Sequence, residues 1–179
     1  MQQRLVEMAH SSSTIMEKAS QAFLTSDVAK ADEAIALADT NEEKALALDE
    51  LVIRILAQQS PVARDLRVLV SALRISASLE RMGALAGHIA AIARYRFPGS
   101  AVPDSLRKTF EEMGALDAQL AKKVAGVLSN TDVDQARAIQ AEDERVDELH
   151  RSVFDIVLSP TWKENAMFTV DVTLASRYF

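Results

Sequence analysis

The chain has 179 residues, 49% of them hydrophobic, with no Cys and a net charge of −6. That composition supports a packed core and argues against disorder. It also excludes disulfide or thiolate sites and a large nucleic-acid footprint, which needs clustered excess Lys and Arg. Five Gly and four Pro fall at a few punctuating places, too sparse for the regular turns of a β protein.

Apolar spacing at Leu5, Met8, Ile15, Ala19, Ala22 and Phe23 predicts a first helix. Thr25-Ser26-Asp27 closes it and caps the next. The second helix is expected from about Val28 to Gln58, with Ile35, Leu46, Ile53 and Leu56 facing inward. Pro61 is expected as the first residue of a third helix, because its missing N–H would be unpaired there anyway. That helix runs to Arg96 with two apolar stripes, one containing Leu66, Leu69, Val70, Leu73 and Ala77 and the other Val68, Ile75, Leu79, Met82 and Ile89. A helix apolar on two sides needs two neighbours.

After Phe97-Pro98-Gly99-Ser100 the plan recurs. Leu106, Phe110, Met113, Leu120, Val124 and Val127 mark a fourth helix, Ser129-Asn130-Thr131-Asp132 a turn and cap, and a long fifth helix reaches Leu158. Ser159-Pro160 stops it, and a sixth helix is expected from about Lys163, still running at Phe179 without a terminator. The native chain is therefore expected to continue. Asp27-Val28 is echoed by Asp132-Val133, Ala34-Ile35 by Ala138-Ile139, and Asp39 by Asp143, as in a duplicated unit. The expected fold is all-α: two tandem three-helix bundles, residues 1–99 and 100–179.

Catalytic motifs are missing. There is no Gly-rich phosphate loop and no Gly-x-Ser-x-Gly, so a non-enzymatic role is expected. The densest polar cluster is Glu142 to His150 in the fifth helix, where Asp143, Asp147 and His150 share one face. The apolar series Ala136, Ile139, Val146, Val153 and Val157 places Asp143 and His150 on the inward seam. Inward carboxylates with an acid–His pair are how helical bundles hold iron, manganese or zinc. The plainer alternative is a solvated acidic face with Asp147 paired to Arg151. Asp39 and Glu43 repeat the four-residue carboxylate spacing in the first half, and Glu80 continues the stripe of Leu73 inward, where an ion pair with a neighbouring Arg is its plainer role. His88 is read first as a hydrogen-bonded or exposed residue, Trp162 as a packing plug, and Met82, Met113 and Met167 as core filler.

The run Gln58-Gln59-Ser60-Pro61-Val62-Ala63-Arg64-Asp65-Leu66-Arg67, with Leu79-Glu80-Arg81-Met82-Gly83 further on, resembles the signature of the PhoU family. The resemblance extends over the whole chain, through Glu142–His150 and Asp171–Phe179. It implies duplicated three-helix bundles and a regulatory adaptor that restrains phosphate uptake and starvation signalling when phosphate is plentiful. The implied partners are the transporter's ATPase subunit and a sensor histidine kinase. The absence of Cys and of any apolar run long enough to span a bilayer makes the cytoplasm the expected location; a homodimer, membrane association only through partners, and no required cofactor are expected as well. Some members of the family hold metal through Glu/Asp-x-x-x-Asp pairs. Asp143 and Asp147 fit that pattern, and Asp39 and Glu43 fit it more loosely. Ala84 stands where the pattern wants Asp after Glu80. The metal expectation is accordingly a divalent ion, iron, zinc or magnesium, on Asp143, Asp147, His150, Asp39, Glu43 and Glu80. A carboxylate-bridged metal bundle and a structural oligomerisation module are the competing readings.

Overall fold

The computed structural model describes all 179 residues as six helices and their connections: α1 Gln2–Thr25, α2 Val28–Gln59, α3 Arg64–Arg96, α4 Asp104–Asn130, α5 Val133–Val157 and α6 Ala166–Tyr178. Helices α1, α2 and α3 pack pairwise on one another, whereas α4 packs on α1 and α5, and α6 lies against α3 and α5.

The duplication shows in backbone geometry. Ser26 ends α1 at φ 57°, ψ 35°, and its N–H donates to Ala22 O. Thr131 ends α4 at φ 55°, ψ 40°, and its N–H donates to Val127 O. The following residues, Asp27 and Asp132, are extended N-caps whose carboxylates accept from Lys30 N and from Asp134 N and Gln135 N. Capping carboxylates satisfy N–H groups that the first helical turn leaves free, so each repeat reverses direction by the same device.

The units do not match in length. Helix α2 has 32 residues and α5 has 25, so the α2–α3 hairpin is about 10 Å longer at 1.5 Å per residue. Leu46 and Ile53, expected inside, are exposed on the outer face of α2, one position off the buried stripe of Ala45, Leu48 and Val52; Val68 and Val70 flank buried Leu69 in α3 in the same way, and Leu66 is exposed near the tip. Pro61 does not begin α3. Residues 61–63 form an irregular turn, with Ala63 at φ 49°, ψ −107°, and the helix starts at Arg64. Helix α6 likewise begins at Ala166 rather than Lys163, because the Asn165 side chain accepts from Phe168 N and fixes the start there. Met113 lies in the core, Met82 is half-buried, and Met167 is exposed. Trp162 packs on the core and donates its indole N–H to Thr169 Oγ1 at 2.9 Å.

Helix α1 is the element common to both units. Eleven of its 24 residues are buried, and it packs against α2, α3 and α4. The main core of 23 buried residues crosses from Ile15, Ala19 and Phe23 in the first repeat to Phe110, Met113 and Val153 in the second. Phe23 meets Phe110 edge-to-face at 5.2 Å, and Phe179, which caps the end of α6, joins them. Small residues bring the backbones close. Ser13 Oγ donates to Ala118 O at 2.9 Å across the α1–α4 seam. A Cβ at Gly114 would stand 2.3 Å from Ser20 Oγ and 2.7 Å from Ser20 Cβ. Gly114→Ala is therefore expected to destabilise the protein by roughly 1–3 kcal/mol, as overpacked helix contacts do. Denaturant unfolding should show this, with Ser20→Gly restoring most of the loss.

Candidate functional site

Two carboxylate-lined hollows occupy the positions that the repeated sequence pattern marks. The first is a groove of about 290 Å³ between α2 and α3, lined by Asp39, Glu42, Glu80, Ala84, His88 and Arg94 among others. Helical spacing turns Glu42, rather than Glu43, toward the groove with Asp39. Glu43 is exposed and does not line it. Glu80 is half-buried and makes no ion pair; Arg94 is engaged instead by Asp32 at 3.3 Å. His88 is exposed and its ring lies 5.2 Å from that of Tyr178.

The second hollow, about 220 Å³, sits where α1, α3, α4, α5 and α6 converge, lined by Ser12, Met16, Met82, Leu85, Asp117, Leu120, Ala121, Asp143, Tyr178 and Phe179. Asp143 opens onto it from an exposed position, a correction to the inward placement that the α5 periodicity predicts. The cause is visible in α5 itself: its N-terminal half lies over little core, with Ala136 exposed and Ile139 only half-buried, and burial begins at Val146. Asp147 is exposed too, and it does not pair with Arg151. The ion pairs of this helix run elsewhere, Glu142 to Lys123 and Arg145 to both Glu112 at 2.8 Å and Glu148 at 2.9 Å. His150 is turned toward α6, with Nδ1 2.6 Å from Ser176 Oγ and 2.7 Å from Ser176 O. Its ring also meets Phe154 edge-on at 5.0 Å.

The six candidate ligands are therefore split: Asp39 and Glu80 share one groove, Asp143 faces another, and Glu43, Asp147 and His150 point elsewhere. No three carboxylate or imidazole groups converge within reach of one ion. As arranged, these residues do not make a closed coordination shell of the kind a resident transition metal needs.

Sequence reasoning missed three polar features. The first is Asp117, whose Oδ2 is buried without a hydrogen-bond partner. Burial, reinforced by the nearby Asp143 charge, pushes its carboxyl up to about 8, so it is mostly protonated at neutral pH. The signal was present, because Asp117 falls on the stripe of Met113, Leu120 and Val124 in α4. The second is Asp171 of α6, which accepts a bidentate contact from Arg96 of α3, Nη2 to Oδ1 at 2.8 Å and Nε to Oδ2. Both are largely withdrawn from solvent, and the paired carboxylate raises the Arg96 pKa further. The third is a buried knot in the first repeat, where Asn41 Nδ2 donates to Leu79 O at 3.1 Å beside Ser12 Oγ. Gly83 leaves room for it, since a Cβ there would lie 2.8 Å from Asn41 Nδ2.

The architecture defines a class, that of duplicated three-helix proteins joined through their first helices. The PhoU domain profile matches residues 5–93. The chain is 38% identical over 177 residues to PhoU homolog 2 of Mycobacterium bovis, a phosphate-specific transport system accessory protein, covering 99% of this chain and 83% of that one. It is 36% identical to PhoU homolog 1 of Mycobacterium leprae, covering 99% and 80%. The crystal structure of PhoU from Pseudomonas aeruginosa superposes with a TM-score of 0.88 at 21% identity, covering 98% of this chain and 85% of that one. The chain belongs to the PhoU family.

The buried Asp117 carboxyl yields a pH dependence. The folded chain keeps this proton where the unfolded chain, with an ordinary Asp near 3.8, has already released it. Its contribution to stability therefore falls as pH rises from about 4 to about 8. Asp117→Asn, which keeps the shape without the titration, should raise Tm above wild type by roughly 2–4 °C at alkaline pH for each kcal/mol relieved, and by less at mildly acidic pH. Thermal unfolding across that range checks it.

Proposed function

We propose that this chain is an accessory protein of phosphate-specific transport, a cytoplasmic regulatory adaptor that restrains the transporter and a sensor histidine kinase when phosphate is plentiful. The observation that carries the reading is similarity along nearly the whole chain to relatives named as phosphate-specific transport accessory proteins. The shape of the molecule supports it. Helices up to 33 residues long present extended outer faces, and no helix is long and apolar enough to cross a membrane. An adaptor of this kind acts by binding one state of its partner better than another, and for that it needs a rigid body with recognisable surfaces.

Deletion of the gene is the direct test. The proposal expects phosphate-responsive transcription to become high even in phosphate-rich medium, and expression of the intact chain to restore repression. Unchanged repression in the deletion strain would remove the regulatory reading.

A further inference from the structure

The tip of the α2–α3 hairpin carries residues that the fold does not use. From Gln58 to Val68 every side chain except Pro61 is exposed, including Val62 at 75% and Leu66 at 41%. Ile53, on the α2 side of the same tip, is 63% exposed. Large apolar side chains clustered on one projection are what soluble surfaces avoid outside contact sites. The turn is also held in unfavourable backbone: Ser60 at φ 43° and Ala63 at φ 49° both lie in the region where L side chains are rare. Strained backbone that no local packing explains is found preferentially at binding sites.

Charge identifies the occupant. Arg54, Arg64 and Arg67 lie around these apolar residues and are in no ion pair, which is equally true of Arg4, Arg74, Arg81, Arg151 and Arg177; the tip differs in setting three guanidinium groups beside large exposed apolar side chains. Asp65 is the one acidic residue between Arg64 and Arg74. No Lys occurs from residue 45 to 107, so the cationic character there is entirely guanidinium. Arginine matches carboxylates through its planar fork and is favoured over Lys at protein interfaces. The net charge of −6 works against adhesion to anionic membranes or nucleic acid, which rewards broad positive fields. The corresponding α5–α6 turn of the second repeat, residues 158–165, also exposes an apolar side chain, Leu158, but carries no Arg.

We infer that the α2–α3 tip docks into an acidic, partly apolar face of a partner protein, with Val62 and Leu66 as apolar anchors and Arg64 and Arg67 pairing with carboxylates. This rests on the regulatory reading above, in which that partner is the transporter's ATPase subunit or the kinase.

The test measures binding of the full chain to purified ATPase subunit and to the kinase's cytoplasmic region, at low and high salt. Variants are Arg64→Glu with Arg67→Glu, Val62→Ser with Leu66→Ser, and Arg137→Glu as a distant control. Circular dichroism verifies that each is folded, and single Val62→Ser, outside any helix, serves if a double variant is not. The expected result is salt-sensitive binding to at least one partner, weakened about tenfold or more by both tip variants and unaffected by the control. Equal binding by the tip variants overturns the docking surface and leaves the regulatory reading standing. Absence of binding by the wild-type chain to both partners overturns the two together. Tip variants that alter only self-association, or only adhesion to vesicles containing anionic lipid, assign the tip to a second copy or a membrane and overturn a protein partner.

Discussion

Close packing of α1 against α4 is the constraint on which the remaining structure depends. Helix α1 is rich in Ala and Ser, and those small residues let its backbone approach three other helices. Ser13 bonds to the α4 backbone, and Ser20 faces Gly114 with no space for a further carbon. Because α1 also supports α2 and α3, the two repeats share one core rather than meeting as finished bodies. The aromatic group of Phe23, Phe110 and Phe179 extends this core to α6, and the Arg96–Asp171 pair ties α6 to α3 at the rim.

This scaffold accounts for where function can lie. Side chains near the α1–α4 seam are committed to packing, whereas the outer faces of α2, α3 and α5 are available. The α2–α3 hairpin extends beyond the part of the molecule that α1 can cover, so its apolar and arginine side chains remain on the surface. The carboxylate hollows differ in place and chemistry: the first lies between α2 and α3, the second between the two repeats. In the first, Asp39, Glu42 and Glu80 share the groove with the apolar Ala84. In the second, Asp117 adds a buried carboxyl from α4, and its neutral form at physiological pH is what makes its burial tolerable.

The six helices were legible because long runs of apolar residues at helical spacing were punctuated by strong caps at Asp27 and Asp132 and by stops at Ser60-Pro61 and Ser159-Pro160. Helix starts were less legible at Pro61 and Lys163, since Ala63 takes an unusual conformation and Asn165 captures the cap of α6. The site was harder. Periodicity is ambiguous in an apolar-rich helix and does not say how much core lies beneath a stripe: Leu46 and Ile53 fall one position off the buried stripe of Ala45, Leu48 and Val52, and Asp143, on the stripe of Val146, lies where α5 covers little core. His150 was placed correctly on its helix, but its partner, Ser176, lies 26 residues away. Asp171 and Arg96 are 75 residues apart, and no spacing rule connects them.

The shared packing of α1 makes both repeats one cooperative body. Trp162, the single Trp, lies in the second repeat between α5 and α6, so its fluorescence reports that repeat while far-ultraviolet circular dichroism reports all six helices. Equilibrium unfolding in urea followed by both signals should give superimposable curves with one midpoint. A Trp162 transition separated from the helix transition would show that the second repeat unfolds alone, and would contradict the shared core.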